Sequence, residues 1–219
     1  MPERKEKRKF VFSVEGETEK WYLEWLQKRV NESKDALYFA DITAEVEKSP
    51  MKYIKKTNAK STPSVTHVCD VEGQTANDQT TFENVLKELK KANKQKNIAY
   101  SIGYSNLSFE LWLILHKQNC SGGCNTKKEY LKHINSSFSE NFDSLDEYKK
   151  EENFHKCLEK LSLQDVKDAV GRADRIMENN RENGRNRRES GRYAYYTENP
   201  ALTIHHAIRE ILTQCGINL

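Results

Sequence analysis

The 219-residue chain is poor in the residues that punctuate or staple a fold: nine glycines, four prolines and five cysteines. So few glycines and prolines leave little room for flexible linkers. No internal repeat is visible, so one domain is expected rather than an array. Cysteines at 69, 120, 124, 157 and 215 are an odd number at irregular spacing, which argues against a secreted disulfide framework. There is no run of 18 apolar residues, so no membrane-spanning helix is expected. Residues 1–8 are charged and lack an apolar signal core, so the expected location is cytoplasmic. A large excess of one charge is also missing: 36 basic residues face 33 acidic ones, a net +3. A nucleic-acid partner must therefore be read from where charges cluster, not from their sum. Charge itself is abundant, at 32% of residues against 36% hydrophobic. That composition implies an economical core under a highly solvated surface, in a chain long enough to bury a substantial core.

Read in order, residues 1–8 form a charged lead-in to a domain over 9–219. Its α/β core spans 9–118, and a mainly helical part spans 119–219. Strands are expected at 9–14, 39–44, 64–69 and 98–105. Helices are expected at 17–31, then from Ser49-Pro50 with Ser49 as cap and Pro50 as first helical residue, ending among Lys55, Lys56 and Lys60. Pro63 restarts the chain. Residues 74–81 read as a polar loop, followed by a helix carrying Phe82, Val85, Leu86 and Leu89. Residues 106–116 are apolar nearly all round and read as a buried helix capped by Ser108. A turn at 120–124 precedes helices at 126–136, 145–160 and 164–183, and Asn199-Pro200 opens a final helix. Strand–helix alternation followed by helices predicts a mostly parallel central sheet flanked by helices, with a helical C-terminal half.

Two of these strands end in acids. Phe10-Val11-Phe12-Ser13-Val14 runs into Glu15, Gly16, Glu17, Thr18 and Glu19, and the strand at 64–69 runs into Asp70 and Glu72. Ligands of open α/β sheets sit at the carboxyl ends of strands. Glu15 and Glu19, four apart across the turn into a helix, can face one point; side chains 70 and 72 share a side of an extended chain. Glu17 points away from that face and should be dispensable. Four acids on one edge repel unless a cation lies among them. An all-oxygen set suits one or two Mg²⁺ or Mn²⁺ ions and phosphoryl chemistry. The plainer reading is a pair of acidic turns whose glutamates favour a helix N-terminus.

The segment Glu15-Gly16-Glu17-Thr18-Glu19 resembles the EGxTE signature of the RloB-like family. Residues 105–116, Ser-Asn-Leu-Ser-Phe-Glu-Leu-Trp-Leu-Ile-Leu-His, are similar to its SNPxFExWLLLH block, and Asn199-Pro200-Ala201-Leu202-Thr203 to its NPxT helix start. The resemblance implies a TOPRIM-like fold related to the nuclease part of OLD-type proteins. It implies a place in restriction-modification or abortive-infection loci, beside an AAA/ABC-type ATPase partner. Glu15 then matches the glutamate after the first strand, and Asp70 with Glu72 matches the D-x-D after the third. Glu19 matches a further metal-binding acid. Catalysis would rest on Glu15, Asp70 and Glu72. Two departures stand out. Glu72 is longer than aspartate by one methylene, and Leu107 replaces the usual proline, which leaves that loop less rigid.

Further candidates surround this set. Glu110 is an additional acid or a structural partner, and His116 a proton shuttle or a satisfied core histidine. His116, Cys120 and Cys124 (with His133) invite a zinc reading but match no standard ligand spacing. Within 172–192 lie Arg172, Arg175, Arg181, Arg185, Arg187, Arg188 and Arg192, followed by Tyr193, Tyr195 and Tyr196. Arginine forks fit phosphates and tyrosine faces stack on unpaired bases, so this arm is a candidate nucleic-acid contact. Tyr148, Lys149 and Lys150 are candidates for stabilising developing charge. The expectation is a metal-dependent nuclease acting on DNA or RNA, tRNA included, in antiphage defence, with self-association open. The alternative is a non-catalytic subunit that binds nucleic acid or an ATPase and carries a regulatory metal.

Overall fold

From Phe10 onward every residue of the first strand is buried, the pattern of a central parallel strand covered on both faces. A computed structural model describes residues 5–57, 64–73, 75–96, 98–120, 124 and 126–219. The first half of the lead-in, Lys60, Pro63, Gln74 and the middle of the 120–124 turn lie outside the described residues. The chain runs β1 (Lys7–Val14), α1 (Glu17–Glu32), β2 (Phe39–Val46), α2 (Pro50–Lys56), β3 (Ser64–Asp70), α3 (Ala76–Lys96), β4 (Ala99–Asn106) and α4 (Glu110–Leu115). Then follow α5 (Lys127–Phe138), α6 (Leu145–Tyr148), α7 (Glu151–Glu159), α8 (Leu163–Glu182), β5 (Arg187–Ser190), β6 (Tyr193–Tyr196), β7 (Ala201–Leu202) and α9 (Ile204–Gln214).

The sheet order is β2-β1-β3-β4-β7, parallel except for β7, and β5 and β6 form a separate antiparallel hairpin. This is the expected α/β architecture, a mostly parallel sheet flanked by helices with a largely helical C-terminal half. One face packs Phe10, Phe12 and Val14 against α1, α4, α5, α7, α8 and α9. The other packs Val11, Val65 and Cys69 against α2, α3 and the tyrosines of β6. Alternate residues of β1 thus serve two cores. Gly103 in β4 permits one close approach: a Cβ there would lie 3.2 Å from the Ile204 Cα at the start of α9.

Several boundaries differ from expectation, each for a visible reason. Residues 7 and 8 are not lead-in but pair with Phe39 and Ala40. Most of the expected loop at 74–81 is instead helical, α3 starting at Ala76: the Thr75 hydroxyl accepts from the Asp78 amide, and Asp78 Oδ2 accepts from the Thr75 amide and hydroxyl, a capping box. Ser49 caps α2 as expected. Ser108 does not cap α4; its hydroxyl donates to Glu110 Oε2 at 2.5 Å. The expected 145–160 helix is broken at Lys149 and Lys150 into α6 and α7. The final helix begins at Ile204 rather than at Pro200. Before it, Ala201 and Leu202 pair with Asn106 and Ser105, and Thr203 bonds the backbone of Ile102 and Tyr104. The loop at Leu107 is pinned rather than loosened. Its amide, which a proline would lack, donates to the Tyr130 hydroxyl at 3.2 Å, and its carbonyl accepts from Glu72.

Candidate metal centre

β1 and β3 are parallel neighbours with Ser13 opposite His67 and Val14 opposite Val68, so both strands deliver their terminal acids to one edge. The Asp70 amide donates to Glu15 Oε2 at 3.2 Å. Glu19 comes up from the first turn of α1 and is buried, its Oε2 accepting from Thr18 Oγ1 at 2.9 Å. A Cβ on Gly16 would lie 3.0 Å from that same oxygen, so the absence of a side chain at 16 is what lets the Glu19 carboxylate sit there. Glu110, also buried, reaches in from the first turn of α4, held by Ser108 and by Lys149 Nζ at 2.9 Å.

The electrostatics are those of a crowded acid cluster. Burial pushes the Glu15 carboxyl up to about 7, helped by the charges of Glu19 and Glu72 and opposed by the Asp70 amide and Lys48. Burial, with the charges of Glu19, Glu110 and Glu15, holds Asp70 well above the usual carboxylate range. Burial also raises Glu19, with Glu110 adding to it and the Thr18 hydroxyl opposing it. Burial works to lower the Lys149 pKa, yet the carboxylates of Glu110, Asp70 and Glu19 keep it above its ordinary value. Glu15, Glu17, Glu19, Asp70 and Glu72 line a cavity of about 290 Å³ whose rim carries Lys48, Lys127 and Lys149. A larger cavity, about 490 Å³, opens beside Ser64, Ala99 and Arg192 at the opposite end of β3 and β4, but Glu210 is its one acid. The acid cluster therefore belongs to the smaller cavity.

Of the expected set, Glu15, Glu19 and Asp70 are drawn together, and Glu110 joins them. Glu72 lines the same cavity but not as expected. Its backbone is left-handed (φ 69°), not extended, and its exposed carboxylate pairs with Lys127 at 3.2 Å. Glu17 is exposed and 3.5 Å from Lys20, but it too lines the cavity and so does not turn away from that face as expected. His116 is a satisfied core residue: Nδ1 meets the Trp112 carbonyl at 2.9 Å, Nε2 meets the Tyr22 hydroxyl at 3.0 Å, and burial lowers its pKa to about 4. With both nitrogens engaged it offers no ligand to a zinc ion with Cys120 and Cys124.

The arginines are spread widely. Arg172 donates to the Leu115 and His116 carbonyls at the end of α4. Arg185 donates to the Asn199 carbonyl, and Arg192 to Asn93 and the Tyr100 carbonyl. Arg181, Arg187 and Arg188 pair with Glu178, Glu189 and Glu83, while Arg175 is exposed. Tyr193, Tyr195 and Tyr196 are buried against α3 and β4 and cannot stack on bases; Tyr195 lies 4.9 Å from the Phe82 ring. Tyr148 is buried as well, and Lys150 precedes α7, so Lys149 alone of that trio lines the cavity.

Sequence reasoning missed Lys48 and Lys127. Lys48 had a signal: it lies two residues past β2, whose carboxyl end shares the edge of β1. Lys127 opens α5 and had none.

The donor set fits a hard divalent cation: carboxylate oxygens only, mutually repelling, in a cavity open enough for water and phosphate oxygens. No curated protein and no solved structure matches the chain. The family model described as RloB-like protein matches residues 10–211, a span that takes in every acid of the cluster, and the chain belongs to the RloB-like protein family.

Proposed function

We propose that this protein is a metal-dependent nuclease of TOPRIM-like fold that hydrolyses phosphodiesters of DNA or RNA. The observation that carries the reading is the convergence of Glu15, Glu19, Asp70 and Glu110 at the carboxyl ends of β1 and β3, ringed by lysines. Glu15, Glu19 and Asp70 would hold one or two Mg²⁺ or Mn²⁺ ions, with Glu72 swinging in from the rim when Lys127 turns to a phosphate. The ion supplies Lewis acidity toward the scissile phosphate and a source of hydroxide near neutral pH. Lys48 and Lys127 attract the strand and orient its phosphate over the acids. Lys149, positioned by Glu110 and by the break between α6 and α7, faces the negative charge that builds on the phosphoryl oxygens. Exposed Arg175, Arg181 and Arg187, with half-buried Arg188 beside them in sequence, serve as outer contacts to the polyanion. Kinship with the RloB-like family supports a role in antiphage defence under the control of an AAA/ABC-type ATPase.

The test is purified protein with Mn²⁺ or Mg²⁺ on plasmid DNA, total RNA and tRNA, with and without the partner ATPase, beside Glu15→Gln. Metal-dependent cleavage by the wild type and none by the variant is expected. Equal cleavage by both proteins sinks the assignment. A second reading is favoured by the Lys149–Glu110 and Lys127–Glu72 pairs, which already neutralise two acids: a binding subunit with a regulatory metal. That reading requires Mg²⁺ to raise the melting temperature while no substrate is cut.

A further inference from the structure

The strands that bring Glu15 and Asp70 together also carry a second, chemically different donor set. With Ser13 opposite His67 and Val14 opposite Val68, the residue after β1, Glu15, falls beside Cys69. A carboxylate oxygen of Glu15, a ring nitrogen of His67 and the Cys69 Sγ lie within 4.8 Å of one another. His67 and Cys69 are 0% and 1% exposed. His67 Nδ1 lies 2.8 Å from the Ser13 hydroxyl, while Nε2 is buried with no hydrogen-bond partner among the described residues. A buried polar atom left unpaired costs about 1–3 kcal/mol. Packing gives no reason for it, since an apolar side chain at 67 would avoid the cost.

We propose that Glu15, His67 and Cys69 form a binding site for a borderline-soft divalent transition ion, with Zn²⁺ as its occupant. The choice of ion follows from the donors. Nitrogen and thiolate sulfur select zinc over Mg²⁺, which takes oxygen. Bonds of about 2.0–2.3 Å place tetrahedral donors roughly 3.5 Å apart. The three atoms need to close by about 1 Å, and Glu15, at a strand end and only partly buried, is the side chain that can turn. Ser13 holds the ring as outer partners of metal-bound histidines do, fixing Nδ1 and leaving Nε2 for the ion. The Cys69 thiol releases its proton to solvent as the ion binds. Three protein ligands leave a fourth position for water, reached past Glu15 from the acid-lined cavity. This site is distinct from the carboxylate cluster but shares Glu15 with it. Zinc therefore competes with the hard cation for one ligand; that last consequence alone rests on the nuclease reading.

Cobalt titration of the full chain tests the site without any cleavage assay. A thiolate–Co²⁺ ligand set gives a charge-transfer band in the near ultraviolet, and one equivalent of Zn²⁺ should erase it. The band should vanish in Cys69→Ser, need at least tenfold more cobalt in His67→Ala, and persist in Cys120→Ser and Cys124→Ser. Circular dichroism checks that each variant is folded. Zinc-edge X-ray absorption of the wild type, independent of any variant, should show one sulfur and one imidazole around the ion. No band in the wild type, a band that survives Cys69→Ser, or a zinc shell without sulfur overturns the proposal.

Discussion

Glu15 meets four neighbours at once: the amide of Asp70, the carboxylate of Glu19 and the donors of His67 and Cys69. Its carboxyl, raised from its ordinary 4.5 to about 7 chiefly by burial, links stability to pH in a definite direction. A raised folded-state value means that the protonated form is favoured by folding. That stabilisation is complete below 4.5 and is lost as pH rises through about 7. It amounts to roughly 3 kcal/mol for this one group. In EDTA the protein should therefore melt at a higher temperature near pH 5.5 than near pH 8, and Glu15→Gln should flatten the trend. Saturating Mg²⁺ should reverse it, because the ion takes the deprotonated carboxylates. Thermal melts across this range, with and without the ion, decide the matter. A second expectation concerns Gly16. Its backbone is extended (φ −148°) and tolerates any residue, but a Cβ would press on Glu19 Oε2. Gly16→Ala should leave the melting temperature in EDTA nearly unchanged while metal-dependent cleavage falls about 10- to 100-fold, the scale on which ligand misplacement acts. Calorimetric titration with Mn²⁺ should show the matching loss of affinity.

Elements that announce themselves by apolar periodicity, such as β1, α1, β3 and α8, lie within two residues of where the sequence places them. The misses are elements whose beginnings are set by polar side chains or by distant pairing. The start of α3 is hidden in a run of polar residues and is fixed by Thr75 and Asp78, which bond each other's backbone. Thr75→Ala should cost about 1 kcal/mol, read as a lower denaturation midpoint, with cleavage unaffected. β7 could not be read locally, since two residues become a strand only because β4 offers Ser105 and Asn106. The β5–β6 hairpin had a signal, Gly191 with φ 65° at the turn between two short segments, but its arginines drew attention to charge rather than to pairing. At the candidate site the strand-end rule found Glu15 and Asp70. Glu110 was legible as a further acid near the sheet edge; what holds it there, Lys149 at the break between α6 and α7, was not. Tyr22→Phe tests how α1 is joined to α4. It strands the buried Nε2 of His116 and should cost about 1–3 kcal/mol, visible in chemical denaturation, with metal affinity unchanged.

Across the whole molecule, a net charge of only +3 conceals a division of labour among the cations. The arginine-rich segment is largely spent on the fold: Arg172, Arg185 and Arg192 tie carbonyls of α4, the Asn199 turn and β4. Its exposed members mostly carry a partner, Arg181 with Glu178 and Arg187 with Glu189. An arginine already beside a carboxylate displaces few counterions when a phosphate arrives. Lys48 and Lys127 stand instead on the rim of the acid cavity, and among the described residues Lys127 pairs with one exposed glutamate, Glu72. Each phosphate that a lysine neutralises contributes about 0.7–0.9 to the slope of log affinity against log salt. Binding of a single-stranded oligonucleotide, measured in Ca²⁺ to hold off cleavage and at several salt concentrations, separates the two surfaces. The Lys48→Ala/Lys127→Ala protein should lose about 1.4 from that slope, the single-strand value for two phosphates, while Arg181→Ala/Arg187→Ala should lose less than about 1. The opposite ranking would place the strand across the hairpin and away from the carboxylates, and a strand held there could not be cut at Glu15 and Asp70.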